Sequence, residues 1–157
     1  MRRLIALLAV TLLLAPSAGA ANGSLFTVSP TSNTINASDP DSIASTSTTT
    51  TANWTISNGN KNTNWSLAVQ ASASTMQNCT QVQVSAIQVA CSSVSLGSCA
   101  SPFQLSTAPQ TIATGGASNG NALYQVQFQL SFADSWSYVA ASSPSCTVTL
   151  QYSLQVQ

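Results

Sequence analysis

The chain is 157 residues long and carries only six charged side chains, three of Lys or Arg and three of Asp, with no His and no Glu. So little positive charge excludes a nucleic-acid binder, which needs several Lys or Arg to displace counterions from the phosphate backbone. The missing His and Glu exclude Ser-His-Asp and Cys-His catalysis, zinc sites of the usual His and carboxylate type, and Glu-based acid–base pairs.

Met1-Arg2-Arg3 supplies positive charge ahead of an apolar run from Leu4 to Leu14 that only Thr11 interrupts. Ala18-Gly19-Ala20 then offers the small residues a signal peptidase reads, which predicts a secretory signal over 1–20, cut before Ala21. The run is too short for a transmembrane helix, which takes about 20 apolar residues. No Cys stands at the cleavage point for lipid attachment. Removing the signal leaves 157 − 20 = 137 residues, one domain over 21–157. That domain keeps Lys61, Asp39, Asp41 and Asp134, a formal charge of 1 − 3 = −2. Its solubility rests on Ser, Thr, Asn and Gln, a surface that packs between subunits with few charges to desolvate.

The first element of the mature chain is "SLFTVS" at 24–29, an N-terminal strand placed to complete a neighbour's sheet. "NASDPDS" at 36–42 gathers Asn36, Ser38, Asp39, Asp41 and Ser42, but it lacks the ordered spacing of a calcium loop and reads as a turn. "TTTTANWTIS" at 48–57 and "NWSLAVQAS" at 64–72 are strands, and the polar hinge from Asn58 to Thr63 predicts that they form a hairpin. On that reading Trp54 and Ile56 face the same interior as Trp65, Leu67 and Val69, so the two tryptophans are core rather than a ligand grip. Lys61 lies in the hinge, not in a core strand where an isopeptide crosslink would form.

"TQVQVSA" at 80–86 and "IQVAC" at 87–91 follow, and the apolar positions change parity between Ala86 and Ile87. A bulge or a strand changing sheets accounts for that switch. Cys79, Cys91, Cys99 and Cys146 make an even count, which in an exported chain means two disulfides, and no C-x-x-C spacing suggests zinc. Three pairings are possible; the short loop favours Cys91 with Cys99, leaving Cys79 with Cys146. Turn chemistry at Leu96-Gly97-Ser98 and "TGGASNGN" at 114–121 separates the weaker strands "FQLS" at 103–106 and "TIAT" at 111–114.

Period two is strongest near the end of the chain. In "ALYQVQFQLSF" the residues Ala122, Tyr124, Val126, Phe128, Leu130 and Phe132 share one face and Gln125, Gln127, Gln129 and Ser131 the other. "CTVTLQYSLQVQ" at 146–157 repeats the pattern, with Cys146, Val148, Leu150, Tyr152, Leu154 and Val156 on one side. Between these strands "ADSWSYVAASSP" sets Trp136 and Tyr138 two residues apart in a loop, the first candidates for binding a ligand. Asp39, Asp41 and Asp134 sit at turns and a strand end, where carboxylates cap rather than catalyse. Asn-x-Ser or Asn-x-Thr occurs at Asn22, Asn36, Asn53, Asn64 and Asn78, as chance allows in so Asn-, Ser- and Thr-rich a chain. The expected fold is an all-β, antiparallel, immunoglobulin-like β-sandwich of seven to nine strands, with a closed barrel as the alternative.

"NWSLAVQAS" is similar to the Trp-led strand of WxL-type bacterial surface domains, and "CTVTLQYSLQ" resembles their closing strand, with Tyr152-Ser153-Leu154 where that family has Trp-x-Leu. The resemblance covers residues 46–157. It implies an exported, non-catalytic, β-rich protein associated non-covalently with the cell wall.

These readings predict a secreted structural protein of the extracellular space or cell surface, with the periplasm as the alternative compartment. It is expected to act through packing or assembly as a coat, fibre or wall-associated subunit, without enzymatic activity, cofactor, nucleic acid or integral membrane segment. Its expected partners are other copies, engaged through the N-terminal strand, or cell-wall polysaccharide. A polysaccharide-binding module using Trp136 and Tyr138 is the competing function.

Overall fold

Period-two burial organises the long strands of the computed structural model, which describes residues 6–13, 26–37, 45–46, 49–59, 62–77, 79–132 and 147–157. In chain order the strands are β1 (Ala6–Leu13), β2 (Thr27–Ser29), β3 (Ser32–Ala37), β4 (Ser45–Thr46), β5 (Thr50–Gly59), β6 (Asn64–Ala71) and β7 (Thr75–Met76). They continue as β8 (Cys79–Gln83), a 3-10 turn at Val84–Ala86, β9 (Ile87–Val94), β10 (Ser98–Cys99), β11 (Phe103–Gln104), β12 (Gln110–Gly116), β13 (Gly120–Phe132) and β14 (Thr147–Val156).

The expected all-β sandwich is what forms. One sheet runs β10-β12-β6-β14-β1-β3, the other β11-β9-β13-β5-β2 with β4 also on β13, and β7 and β8 make a separate ribbon. Each main sheet ends in edge strands rather than closing into a barrel. The apolar faces meet in one core: Ala52, Trp54 and Ile56 of β5 and Tyr124, Val126, Phe128, Leu130 and Phe132 of β13 from one side, Trp65, Leu67, Val69 and Ala71 of β6 and Val148, Leu150 and Tyr152 of β14 from the other. Leu154 and Val156 are only half-buried although Leu67 and Trp65 opposite them on β6 are buried; β1 flanks β14 only as far as Gln151.

Three particulars differ from the sequence reading. The strands carrying Trp54 and Trp65 are not a hairpin: β5 pairs with β13 and β2, whereas β6 pairs with β12 and β14 in the opposite sheet. Alternation reports which face of a strand is buried, and two strands facing each other across a core bury the same parity as two lying side by side. The strand number is also larger, fourteen among the described residues against the seven to nine expected. The excess comes from the two-residue pieces β4, β7, β10 and β11, too short to carry a periodic signal, and from β1 and β3. Finally, the sheets are not wholly antiparallel. The segment read as an export signal supplies β1, which lies parallel to β14 from Ala9↔Thr147 to Leu13↔Gln151 and antiparallel to β3 from Ala6↔Ala37 to Thr11↔Ser32. In the whole chain this segment lies between two strand edges whose backbone groups need partners.

The parity switch has the predicted cause. The 3-10 turn at Val84–Ala86 ends the ribbon strand β8, and the chain enters the second sheet as β9, between β11 and β13. Val84 and Ile87 are both buried, so the turn carries the inward face from one layer to the next. Cys91 and Cys99 form the expected disulfide, which ties β9 in one sheet to the edge strand β10 of the other. Cys146 lies outside the described residues, as does its expected pairing with Cys79. Nearby, Gln77 and Thr147 exchange backbone hydrogen bonds of 2.8 and 3.0 Å.

Candidate functional site

The core centres on three rings. Tyr124 of β13 stands opposite Trp54 of β5 in register and stacks on it, with centroids 5.7 Å apart and planes 11° from parallel. Trp65 comes from the facing sheet and meets both edge-on, 4.9 Å from Trp54 and 5.9 Å from Tyr124. Phe26, just before β2, adds a fourth ring 6.4 Å from Trp54. Edge-to-face contacts set the positive rim of one ring against the negative face of another, which suits a packed aromatic centre. Trp54 is 0% and Trp65 2% exposed, so neither can grip a ligand and the core reading holds.

Backbone geometry makes room for Trp65. A Cβ on Gly115 would lie 2.6 Å from its Cζ2 and 2.7 Å from its Cε2, and would strike the Leu96 carbonyl. One on Gly97, where φ is +150°, would lie 2.8 Å from Cζ2 and strike the Thr114 carbonyl. The Tyr124 hydroxyl accepts a 2.8 Å hydrogen bond from the Ser118 N–H, whereas the Nε1 groups of Trp54 and Trp65 are buried without a hydrogen-bond partner.

Outside Trp65 lies a cleft of about 330 Å³, lined by Asn64, Ser66, Thr114, Gly115, Gln155 and Gln157 together with the indole. Reciprocal backbone hydrogen bonds of 2.7 and 2.8 Å between Asn64 and Gln157 hold its floor. Its polar groups are amides and hydroxyls, which can hydrogen-bond a neutral ligand but offer no acid, base or activated nucleophile. Sequence reasoning missed this cleft because its residues come from three strands, β6, β12 and β14, and no local motif joins them.

The outer sheet faces share that chemistry. Gln70 donates to Gln151 across β6 and β14 at 2.6 Å, and Gln125 donates to Asn53 across β13 and β5 at 3.1 Å. Gln129 donates to Thr49 at 3.4 Å and the Thr147 hydroxyl to Gln77 at 3.1 Å. All six charged residues, Arg2, Arg3, Asp39, Asp41, Lys61 and Asp134, lie outside the described residues, as do the candidate ligand pair Trp136 and Tyr138. None of the described strands contains a charged residue. Among the described residues no three His, Cys, Asp or Glu side chains gather as metal ligands, and no helix is long and apolar enough to cross a membrane.

Tyr152, which stands where the WxL pattern has its Trp, turns inward. It is 3% exposed and packs 5.6 Å from Phe128, and burial raises the pKa of its hydroxyl well above the ordinary value. It offers no face to a polysaccharide. No protein-family model and no curated protein matches the chain.

Proposed function

We propose that the protein is an exported, non-catalytic structural subunit that works by packing and assembly, in a coat, a fibre or a layer associated with the cell surface. The observation that carries this reading is that no described strand contains a charged residue and that Gln and Asn side chains bond to one another across β6 and β14 and across β13 and β5. Such strands can meet another copy without desolvating a charge, the costly step in most protein contacts. The signal-like residues 1–20, the disulfide between the sheets and the WxL-like strands support an extracellular or surface location. Light scattering and electron microscopy of the exported protein test the reading. Concentration-dependent multimers or ordered particles are expected, and a strict monomer at every concentration overturns it.

A second reading is a binding module for neutral polysaccharide. The amide- and hydroxyl-lined cleft beside Trp65 supports it, because neutral sugars are recognised by such groups. Trp136 and Tyr138, the pair the sequence singles out for stacking, lie outside the described residues and are tested on their own. Replacing both by Ala should abolish retention on wall polysaccharide while leaving the melting temperature unchanged; undiminished retention removes the pair from the site.

A further inference from the structure

We infer that export opens an acceptor slot in the first sheet, between β14 and β3, and that a strand from a second copy of this chain fills it. The inference rests on the export and assembly reading above and names the site through which assembly proceeds.

The slot is defined by what occupies it in the whole chain. β1 is an interior strand, paired along one flank with residues 147–151 of β14 and along the other with residues 32–37 of β3. The same residues, Ala6–Leu13, fall inside the apolar run of the signal-like leader. A chain cut before Ala21 therefore lacks the strand that joins β14 to β3. The backbone N–H and C=O groups that face β1 lose their partners, while Thr147 keeps its bonds to Gln77 and the Thr149 carbonyl its bond from Ser72, and the sheet is interrupted beside Val148 and Leu150.

The geometry of the vacancy suits one strand. Two strand spacings separate the walls, about 10 Å. β1 runs parallel to β14 and antiparallel to β3, so the two walls are antiparallel to each other. Any guest strand then lies parallel to one wall and antiparallel to the other, whichever way it enters. On its far side β14 pairs with β6 from Leu150 to Val156, so Leu150 and Gln151 anchor that wall, whereas β3 is the end strand whose sheet neighbour is β1. Proteins usually guard open edges with charges or proline, and neither "SNTINA" nor "TVTLQ" carries either. The walls are left open to pairing.

The mature chain carries a segment suited to the vacancy. Residues 24–29, "SLFTVS", place Phe26 and Val28 at period two, and no charged residue occurs from Ala21 to Ser38. The described part of this segment is the edge strand β2, held to β5 by only three residue pairs, Thr27↔Asn53, Val28↔Ala52 and Ser29↔Thr51. Transfer of this strand to a neighbour exchanges a short ladder for one with two walls. Donor and acceptor are different surfaces, so each donation is a one-way contact that can repeat head to tail from copy to copy or be exchanged between two copies.

The test compares the whole chain, which retains residues 1–20, with a chain beginning at Ala21, both folded under oxidising conditions. Light scattering across a hundred-fold range of concentration (about 1 to 100 μM, spanning the usual strength of such contacts) reads the mass. The chain beginning at Ala21 should form multimers, and the whole chain, its slot filled in cis, should remain monomeric. A synthetic peptide of residues 21–31 should bind the shorter chain and reduce its multimers to peptide-bound monomer. A chain beginning at Ser32, with the slot but no donor, should be monomeric and bind the peptide; if it fails to fold, the peptide arm on the longer chain decides. Equal multimers from both forms, unaffected by peptide, overturn the slot while leaving the assembly reading intact. Monomers from both forms at every concentration overturn both.

Discussion

Trp54 and Trp65 meet edge to face across the interior of the sandwich, with centroids 4.9 Å apart and planes at 71°, each contributed by a different sheet. The two near-identical triplets Asn53-Trp54-Thr55 and Asn64-Trp65-Ser66 thus belong to facing layers, and their rings close the core between them. Tyr124 stacks on one and abuts the other, so the three rings form a single contact unit.

Truncating that unit should be costly. Trp54→Ala is expected to lower the unfolding free energy by about 3–5 kcal/mol, as a large buried aromatic lost to a cavity does. Chemical denaturation measures it. In a double-mutant cycle with Trp65→Leu and Trp54→Leu, the coupling should reach about 0.5–1.5 kcal/mol. Strict additivity would show that the edge-to-face contact contributes nothing beyond area.

Two glycines should respond to substitution in opposite ways. Gly115→Ala places a Cβ 2.6 Å from the Trp65 ring and should cost about 1–3 kcal/mol through overpacking, more with a larger side chain. At Gly120 φ is +83° and a Cβ meets nothing within 4 Å, so the cost there is conformational. Gly120→Asn should be milder than Gly120→Ala, because Asn tolerates the left-handed region. Thermal melts of these variants and of Gly115→Asn distinguish steric from backbone origin; the same Ala-to-Asn order at both sites contradicts the assignment.

Removing the Cys91–Cys99 bridge with a paired Cys91→Ala, Cys99→Ala variant should cost about 2.5 kcal/mol, the chain-entropy value for so short a loop. Non-reducing peptide mapping should return Cys91 with Cys99 and, by the same sequence argument, Cys79 with Cys146. Any peptide joining Cys79 to Cys91 or Cys99 overturns that pairing.

The chain has no His, the side chain whose ordinary pKa lies nearest neutrality, so the pH response to look for is alkaline. Burial raises the Tyr152 hydroxyl's pKa in the folded state above its unfolded value near 10. Its contribution is therefore fully present below pH 10 and is lost as pH rises further, because the unfolded chain ionises first. Tyr152→Phe should carry stability to higher pH in an alkaline denaturation series. An unchanged alkaline midpoint contradicts the burial argument.

Legibility in the sequence followed length of pattern. The thirteen residues of β13 and the ten of β14 repeat their apolar spacing often enough to fix which face is buried, and the change of parity at Ala86 and Ile87 marked the passage between layers. The two-residue strands β4, β7, β10 and β11 have no period to read. The cleft around Asn64, Thr114 and Gln155 draws one strand end from each of three distant segments, so nothing local announces it.

By itself the sequence determined the class of fold, the inward residues of each long strand, the eight-residue separation that favours Cys91 with Cys99, and a surface almost without charge. These are local quantities, set by alternation, spacing and composition. Tertiary structure alone decided which strands are neighbours: that Trp54 and Trp65 face each other from opposite sheets, and that Ala6–Leu13 lies between β14 and β3. The reason is that a strand's side-chain pattern records only which face is apolar, whereas its place in a sheet is set by backbone hydrogen bonds, which every residue except proline can offer alike.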